Sequence, residues 1–433
     1  MGLIRVGIDD TDSKHGMCTT YVGTVITDRL KAHGFGLDGY PKLVRLNPNW
    51  HLKTRGNCAI SLHVKCNPSE VSTMKELVLE TVGELAELQY ETTNPGVVFY
   101  SCSRVPEELR RFSKTVIQSV VEIEDAERLA RKIGAEYHKF KLGRGIVGAL
   151  AAVGETFKQD STYELLAYRT PDFRGKKRMI DSSSVHEMDK KTFPRTFDNI
   201  DSTTGEIRIT PHTPCPVLLG IRSQDPSSAL EAFRLVRANE PVERWTIYQT
   251  NQATDAHLVC STISSLRPFN SAILSGTISQ KPRIIRGGHI IFGLRDEGGM
   301  IDCAAYEPTR RFRDVVRSLQ VGDSVRVYGG VKQKQGLPLT LNLEKIEIVD
   351  LTEICIKKNP TCATCHRRAK SEGKNKGYQC AVCGQRFPPG SETYIEKPRE
   401  LQTGLYEVPP RARRHLAKPL SRITDSKHDQ RSL

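Results

Sequence analysis

The chain has no apolar run of about 18 residues, so no segment is expected to span a membrane. No basic-then-apolar leader is expected, because the sequence enters a strand-like run at once. Met1-Gly2 invites an N-terminal acyl group, but Val6 stands where that motif wants Ser or Thr. A cytoplasmic protein without membrane contact is the expectation. Histidines in motif settings are few over the first two hundred residues, whereas metal-dependent hydrolases often recruit them.

At 433 residues the chain is too long for one core, and two to four domains are expected. Of its net charge of +14, residues 355–433 hold +10, from 17 Lys and Arg against 7 Asp and Glu. A C-terminal fifth so basic suits a polyanionic partner. Twelve cysteines are present; eight are scattered, and in a reducing compartment these are expected to be small buried hydrophobes without disulfides.

Leu3, Ile4, Val6 and Ile8 make an apolar strand that runs into Asp9, Asp10 and Asp12. Three carboxylates within four residues repel one another, and a divalent cation is the simplest compensation. Mg²⁺ takes one or two carboxylates and leaves the rest of its shell to water and phosphate oxygens. Gly16, Cys18, Thr19 and Thr20 then open a helix whose first N–H groups suit a phosphate. The competing reading is an Asp-rich turn in which Thr11 or Ser13 caps a helix.

Alternating strand-like and helix-like stretches make residues 1–125 an α/β domain, with helices expected over 21–33, 70–87 and near 113–133. A basic, flexible loop, Lys53-Thr54-Arg55-Gly56-Asn57, leads into a strand at Cys58. Gly143-Arg144-Gly145, at the mouth of an apolar helix, is a second possible phosphate seat, although glycine-rich loops are common. The charged stretch 170–192 reads as mobile. Strands over 163–168, 207–209, 217–221 and 245–249, with a helix over 227–239, suit a ferredoxin-like α+β domain over 126–265.

From about residue 270 five short strands surround one helix, the pattern of an OB-fold β-barrel over 266–352; a small SH3-like barrel without a ligand is the alternative. OB domains present a face to single-stranded nucleic acid. Cys362, Cys365, Cys380 and Cys383 form two Cys-x-x-Cys knuckles, the spacing of a closed, structural Cys₄ zinc ribbon over 353–395. The bland alternative is a pair of redox dithiols. Residues 396–433 are read as a basic tail, whose Pro-broken part at 409–419 lies on RNA phosphates, on a neighbouring domain, or free in solvent.

Gly7-Ile8-Asp9-Asp10-Thr11-Asp12-Ser13 with Gly16-Met17-Cys18-Thr19-Thr20 resembles the archaeal tRNA(Ile) 2-agmatinylcytidine synthetase family. Lys53–Asn57, Thr93-Asn94-Pro95-Gly96, Gly143-Arg144-Gly145, Thr196-Phe197-Asp198-Asn199, residues 250–255 and Pro409-Pro410 extend the resemblance over nearly the whole chain. It implies an N-terminal ATP-binding kinase domain, a ferredoxin-like domain that completes the active site, and OB and ribbon domains that grip tRNA. The implied reaction is an ATP-dependent ligation. ATP phosphorylates the C2 oxygen of the wobble cytidine in an isoleucine tRNA with a CAU anticodon, and agmatine then displaces phosphate so that the anticodon reads AUA.

On that resemblance Asp9, Asp10 and Asp12 take magnesium, and Thr19 is the threonine that the family's kinase domain phosphorylates on itself. Lys53, Arg55 and Arg144, with the N–H groups near Gly143 and Gly145, are candidates for the triphosphate; Thr11, Thr20, Gly56 and Asn57 complete that set. Agmatine is a dication, so Asp198 and Asp201 are the expected carboxylates. Trp50 or Tyr137 is a candidate to stack on a cytidine splayed from the anticodon. The cofactors implied are ATP, Mg²⁺ and structural Zn²⁺, and no obligate protein partner is evident. Two rivals differ in class: a non-catalytic OB-fold and ribbon RNA-binding regulator, and a metal-dependent nucleic-acid phosphoesterase.

Overall fold

The structure is a computed structural model and describes residues 2–423. Its first 250 residues share one ten-stranded sheet. Strand β1 (Gly2–Asp9) lies antiparallel between β3 (Cys58–Cys66) and β4 (Gly96–Ser101). Outside these pair β2 (Lys42–Arg45), on β3, and β5 (Glu136–Lys139), on β4.

The second half contributes β6 (Thr162–Arg169), β7 (Val217–Ser223) and β8 (Val242–Thr250), with β6 between the other two. One short parallel contact, Gln249 and Thr250 of β8 beside Lys42 and Leu43 of β2, fuses the two halves. The two regions read from sequence as separate domains therefore share a continuous β-surface.

Helices cover both faces of β1: Ile4, Val6 and Ile8 join the core on one face, and Gly7 and Asp9 meet a helix on the other. Helices α1 (Thr19–Ala32) and α2 (Val71–Leu85) pack Val22, Ile26 and Val78 on one face with Val6 and Ile8. Helix α5 (Ile146–Gly154) lies on the other face, closer than a side chain permits: a Cβ at Gly7 would meet the Ala149 carbonyl oxygen at 2.2 Å. That approach brings the first turn of α5 onto the carboxylate end of β1.

Several expectations are corrected. The single helix near 113–133 is two, α3 (Glu107–Gln118) and α4 (Ile123–Ile133), with the chain extended at Ser119 and Glu122. Ala126 and Ala130 of α4 share a core with Val98 and Ile146, and β5 pairs with β4, so a boundary at 125/126 falls inside one packed unit. The stretch 170–192 is not a mobile loop along its length. Its second half is α6 (Ser182–Thr192), capped by the Asp181 side chain accepting from the Ser183 N–H and anchored by buried Val185 and Met188. Residues 207–209 form no strand, only a bridge between Ile200 and Ile207.

The OB-fold barrel comprises β9 (Ser271–Ile285), β10 (His289–Asp296), β11 (Gly299–Ala305), β12 (Ser324–Lys332) and β13 (Thr340–Asp350). It closes because β9 pairs with both β10 and β12, and β13 with both β11 and β12. A short helix, α7 (Phe312–Arg317), buries Phe312 and Val316 in the same core. The ribbon hangs beyond it on two- to four-residue strands. After the ribbon, β14 (Gly404–Glu407) returns to extend the barrel sheet at β13. Among the described residues no helix is long and apolar enough to cross a membrane.

Candidate active site

A cleft of about 720 Å³ opens where the two halves of the sheet meet, walled by both halves and by the chain beyond the ribbon. Its acidic corner is the end of β1. The chain turns at Asp10 with φ +60°, a left-handed conformation that Asp tolerates, and the Asp10 N–H donates to Asp9 Oδ1 at 2.7 Å. Asp9 lies in a hole left by Gly148 of α5, where a Cβ would sit 1.9 Å from Asp9 Oδ2.

The three carboxylates are held differently. Arg144 donates to Asp10 at 2.9 Å, and Arg55 donates to Asp12. Asp9 has no ion pair among the described residues. Burial, with Asp10 next door, pushes its carboxyl well above the usual range. Burial also raises Asp10, to about 6 even with Arg144 alongside, and raises Asp12 against the pull of Arg55. An uncompensated carboxylate beside one half-compensated is the electrostatic setting that a divalent cation relieves.

Asp9, Asp10 and Asp12 do not, however, form a three-carboxylate cage. Among the described residues the one cluster of three or more metal-ligating groups is Cys362, Cys365, Cys380 and Cys383, whose sulfurs lie within 4.8 Å of one another. That set fits tetrahedral zinc. The acidic corner fits a cation that takes one or two carboxylates and fills its shell otherwise.

Thr19 is the first residue of α1 and borders the cleft; Thr11 Oγ1 donates to Thr19 Oγ1 at 3.1 Å. Thr20 also borders it, with its hydroxyl 3.0 Å from the Cys18 sulfur, while Thr11 lies behind the wall. Among the described residues no side chain caps this helix start, which leaves its first N–H groups to an anion. Arg55 holds the 13–17 turn from across the cleft, donating also to the Ser13 carbonyl at 3.0 Å. Lys53, Gly56 and Asn57 stand on the same wall, and Lys53 donates to the Pro48 carbonyl at 2.6 Å.

Four expectations change. The N–H groups of Gly143 and Gly145 are spent on the carbonyls of Phe140 and Asn94, each at 3.0 Å, so they are not free for a triphosphate; Gly143 is also off the wall. Asp198 is not on the wall: it is buried between Arg413, with which it pairs, and Arg222 at 3.6 Å. Asp201 is fully buried and braces a turn, accepting from Thr203 N–H at 3.0 Å and Arg411 N–H at 3.1 Å. Neither carboxylate is open to agmatine. Tyr137 accepts from Arg131 away from the cleft, whereas Trp50 borders it, edge-on to Phe269 of the barrel domain.

The opposite wall carries groups that motif reading missed. Arg45 of β2 donates to Glu164 of β6 at 2.8 Å, and Arg222 of β7 lies 3.9 Å from the same carboxylate. His415, from the chain beyond the ribbon, faces Arg222 and Gly56; Arg222 Nη2 lies 3.4 Å from its Nδ1. Arg45 and burial keep that imidazole well below its ordinary pKa, hence neutral. The available signal was a charged residue inside each apolar strand run.

The basic tail docks on neighbouring domains. His415 and Leu416 carbonyls accept from Ala253 and Asp255 N–H groups at 2.7 and 2.8 Å, and Arg422 and Lys418 pair with Asp160. Of the two contact readings for residues 409–419, the structure has the one on a neighbouring domain; residues 424–433 of the expected tail lie outside the described residues.

Comparison with known proteins agrees with this architecture. Family models match the TiaS TCKD domain over residues 5–142, the TiaS FLD domain over 143–257, an OB-fold nucleic acid binding domain over 272–349 and the TiaS C-terminal zinc ribbon domain over 359–401. The chain is 43% identical to an isoleucine-tRNA 2-agmatinylcytidine synthetase, TiaS, of Methanocaldococcus jannaschii, covering 98% of this chain and 99% of that one. It is 45% identical to the one from Pyrococcus horikoshii, covering 96% and 97%. Among solved structures it resembles TiaS in complex with its isoleucine tRNA and ATP, with 41% identity, 98% of each chain covered and a TM-score of 0.88. It also resembles TiaS in complex with the same tRNA, AMPCPP and agmatine, with 39% identity, 98% of each chain covered and a TM-score of 0.85.

Proposed function

This chain belongs to the TiaS family of isoleucine-tRNA 2-agmatinylcytidine synthetases, and from that membership we propose how its cleft divides the work. The protein is an ATP-using enzyme that joins agmatine to an isoleucine tRNA, with an OB-fold domain and a Cys₄ zinc ribbon as its RNA-facing modules. In our reading it acts in the cytoplasm on the wobble cytidine of the CAU anticodon.

The single observation that carries the site assignment is the half-buried Asp9, without an ion pair among the described residues, beside Asp10. We assign these two carboxylates to Mg²⁺, which would supply charge neutralisation for the triphosphate. Asp12 then acts through Arg55, holding the turn that presents Thr19 and Thr20. Arg55, Arg144 and Lys53 ring the corner with positive charge, and the uncapped start of α1 offers N–H donors to phosphate oxygens. Phosphoryl transfer depends chiefly on positioning and charge stabilisation, which this wall supplies. Thr19, at that helix start on the edge of the cleft, is the hydroxyl we assign to accept a phosphoryl group in self-phosphorylation.

The test is direct. Protein, ATP, Mg²⁺, agmatine and a transcript of the isoleucine tRNA are incubated, and nucleosides are analysed by mass spectrometry. The expected product is a cytidine heavier by agmatine less water. Asp9→Asn is expected to abolish it while tRNA binding persists. Undiminished conversion by Asp9→Asn would remove the acidic corner from the reaction, and full activity of Thr19→Ala would remove that hydroxyl.

A further inference from the structure

The chain beyond the ribbon does more than pack. It leaves the barrel at β14 and runs between the barrel and the sheet, pinned on either side of His415. Arg413 pairs with Asp198 and Glu407, and Arg414 lies 3.1 Å from Glu344. The carbonyl contacts to Ala253 and Asp255, and the Lys418 and Arg422 pairs with Asp160, fix the far side. The one side chain this strap delivers to the cleft in a chemically versatile form is the imidazole of His415.

Its protonation follows from its neighbours. Arg222 Nη2, always protonated, faces Nδ1 at 3.4 Å and finds there a lone pair. Arg45, Arg222 and Lys53 all lie near enough to disfavour an imidazolium, and burial adds to them. A neutral ring that accepts at Nδ1 carries its proton on Nε2. Nε2 lies over Gly56, 3.3 Å from where a Cβ would be, and makes no hydrogen bond among the described residues. Gly56 thus leaves an opening at the one donor of the ring that lacks a partner.

We propose that His415 is a substrate-positioning residue of the ligation reaction, donating its Nε2–H to an oxygen of the nucleotide bound in the cleft, with Arg222 holding the ring for that contact. The inference rests on the assignment of this cleft to the synthetase reaction. The acceptor is an oxygen with a lone pair, either a phosphate oxygen of ATP or the carbonyl of the incoming pyrimidine. The strap is therefore part of the active site, and the barrel domain that anchors it through β14 takes part in setting the cleft.

Amide side chains test the two ring nitrogens separately. Gln places a donor near the position of Nε2, whereas Asn reaches only the position of Nδ1. Wild type, His415→Gln, His415→Asn and His415→Ala are compared for agmatine incorporation, for ATP binding without tRNA, and for thermal unfolding. The expectation is His415→Gln within about fivefold of wild type in kcat/KM, with His415→Asn and His415→Ala down roughly 30-fold or more at unchanged unfolding temperature. Weakened ATP binding in the last two identifies a phosphate oxygen; a loss confined to the tRNA-dependent step identifies the pyrimidine. Rescue by Asn rather than Gln, unchanged activity in His415→Ala, or losses matched by lowered unfolding temperature in all three variants would each overturn the proposal. Wild-type inactivity in the same assay would instead count against the synthetase assignment itself.

Discussion

Arg144 and Asp10 meet at 2.9 Å across 134 residues of chain, joining the first turn before α5 to the end of β1. The same guanidinium donates to the Thr92 carbonyl at 3.0 Å, so it arrives at the acidic corner in a fixed pose. A planar cation so held suits the oxygens of a triphosphate better than a flexible ammonium does. Arg144→Ala is expected to weaken ATP binding by about tenfold or more and leave tRNA binding within about twofold, as read by nucleotide and tRNA titrations. Arg144→Lys should recover less than half of that loss in free energy. Equal weakening of ATP and tRNA would place Arg144 in the fold rather than at the phosphates.

Gly148 and Asp9 give a second, sharper prediction. An added methyl at Gly148 would lie 1.9 Å from Asp9 Oδ2 and 2.7 Å from Leu46 Cδ1. Gly148→Ala should cut conversion at least tenfold by displacing the carboxylate. Gly36→Ala, where the nearest atom is a lysine Cβ 3.7 Å away, should be silent. In the same corner Asp9→Asn removes a carboxylate whose pKa is raised in the fold. Such a group disfavours folding at neutral pH, so the inactive variant should unfold at a higher temperature than wild type in the absence of nucleotide.

The strap carries a stability prediction. Arg413 and Asp198 are both nearly inaccessible, with side-chain exposures of 5% and 6%, and Glu407 joins them at 2.5 Å. Removing the arginine leaves Glu407 without its ion pair and Asp198 with only the more distant Arg222, at 3.6 Å. Arg413→Met should therefore cost roughly 3–5 kcal/mol, and Arg413→Met with Asp198→Asn should recover part of it. Arg195 and Glu231, exposed at 48% and 46%, make the contrast: Arg195→Ala should cost less than about 1 kcal/mol in the same thermal or denaturant unfolding.

Local signals explain what was legible. The run from Leu3 to Asp12, the two Cys-x-x-Cys knuckles and the strand spacing of the barrel each lie within a few tens of residues, and each chemistry depends on that spacing. The second wall of the cleft does not work that way. Arg45, Glu164, Arg222 and His415 meet only because β8 pairs with β2 and the strap returns between the domains. Charge alone points to Asp198 and Asp201, and charge does not reveal a partner such as Arg413, which lies 215 residues further along the chain. Gly143 and Gly145 mislead for a related reason, since a glycine-rich loop offers N–H groups only if no carbonyl, here those of Phe140 and Asn94, reaches them first.

Away from the cleft, His63 sets a pH dependence of stability. Arg5 Nη1 lies 2.7 Å from its Nε2, a contact that suits only a ring with its lone pair free. Burial, followed by Lys42 and Arg5, lowers His63 from an ordinary 6.5 to about 3. Between those values the unfolded chain binds a proton that the folded chain refuses. The neutral ring's contribution is therefore complete above about pH 6.5 and is lost as pH falls, by up to about 1.4 kcal/mol per unit. His63→Gln keeps an acceptor for Arg5 and does not titrate. It should narrow the difference in unfolding temperature between pH 8 and pH 5 relative to wild type, and an unchanged difference would mean that His63 is protonated in the fold. Because His415 acts in the same direction, the comparison of the two proteins isolates His63.

The ribbon supplies the last prediction. Cys362, Cys365, Cys380 and Cys383 sit on two knuckles joined by strands only two residues long, Lys370–Ser371, Tyr378–Gln379 and Arg386–Phe387. So small a unit buries too little apolar surface to hold its shape, and metal binding must supply its folding free energy. One zinc per chain is expected by elemental analysis. Stripping it with a chelator and a thiol reagent should unfold the ribbon alone, because the barrel keeps its own core and the cleft draws no residue from 353–395. The stripped protein should therefore bind ATP as before and lose tRNA affinity about tenfold or more, with a shallower salt dependence, as Lys357, Lys358, Arg367, Arg368 and Lys370 lose their fixed arrangement. Cys380→Ser should reproduce both effects without chelator. Loss of ATP binding on stripping would instead tie the ribbon to the cleft, and unchanged tRNA affinity would remove it from the RNA interface.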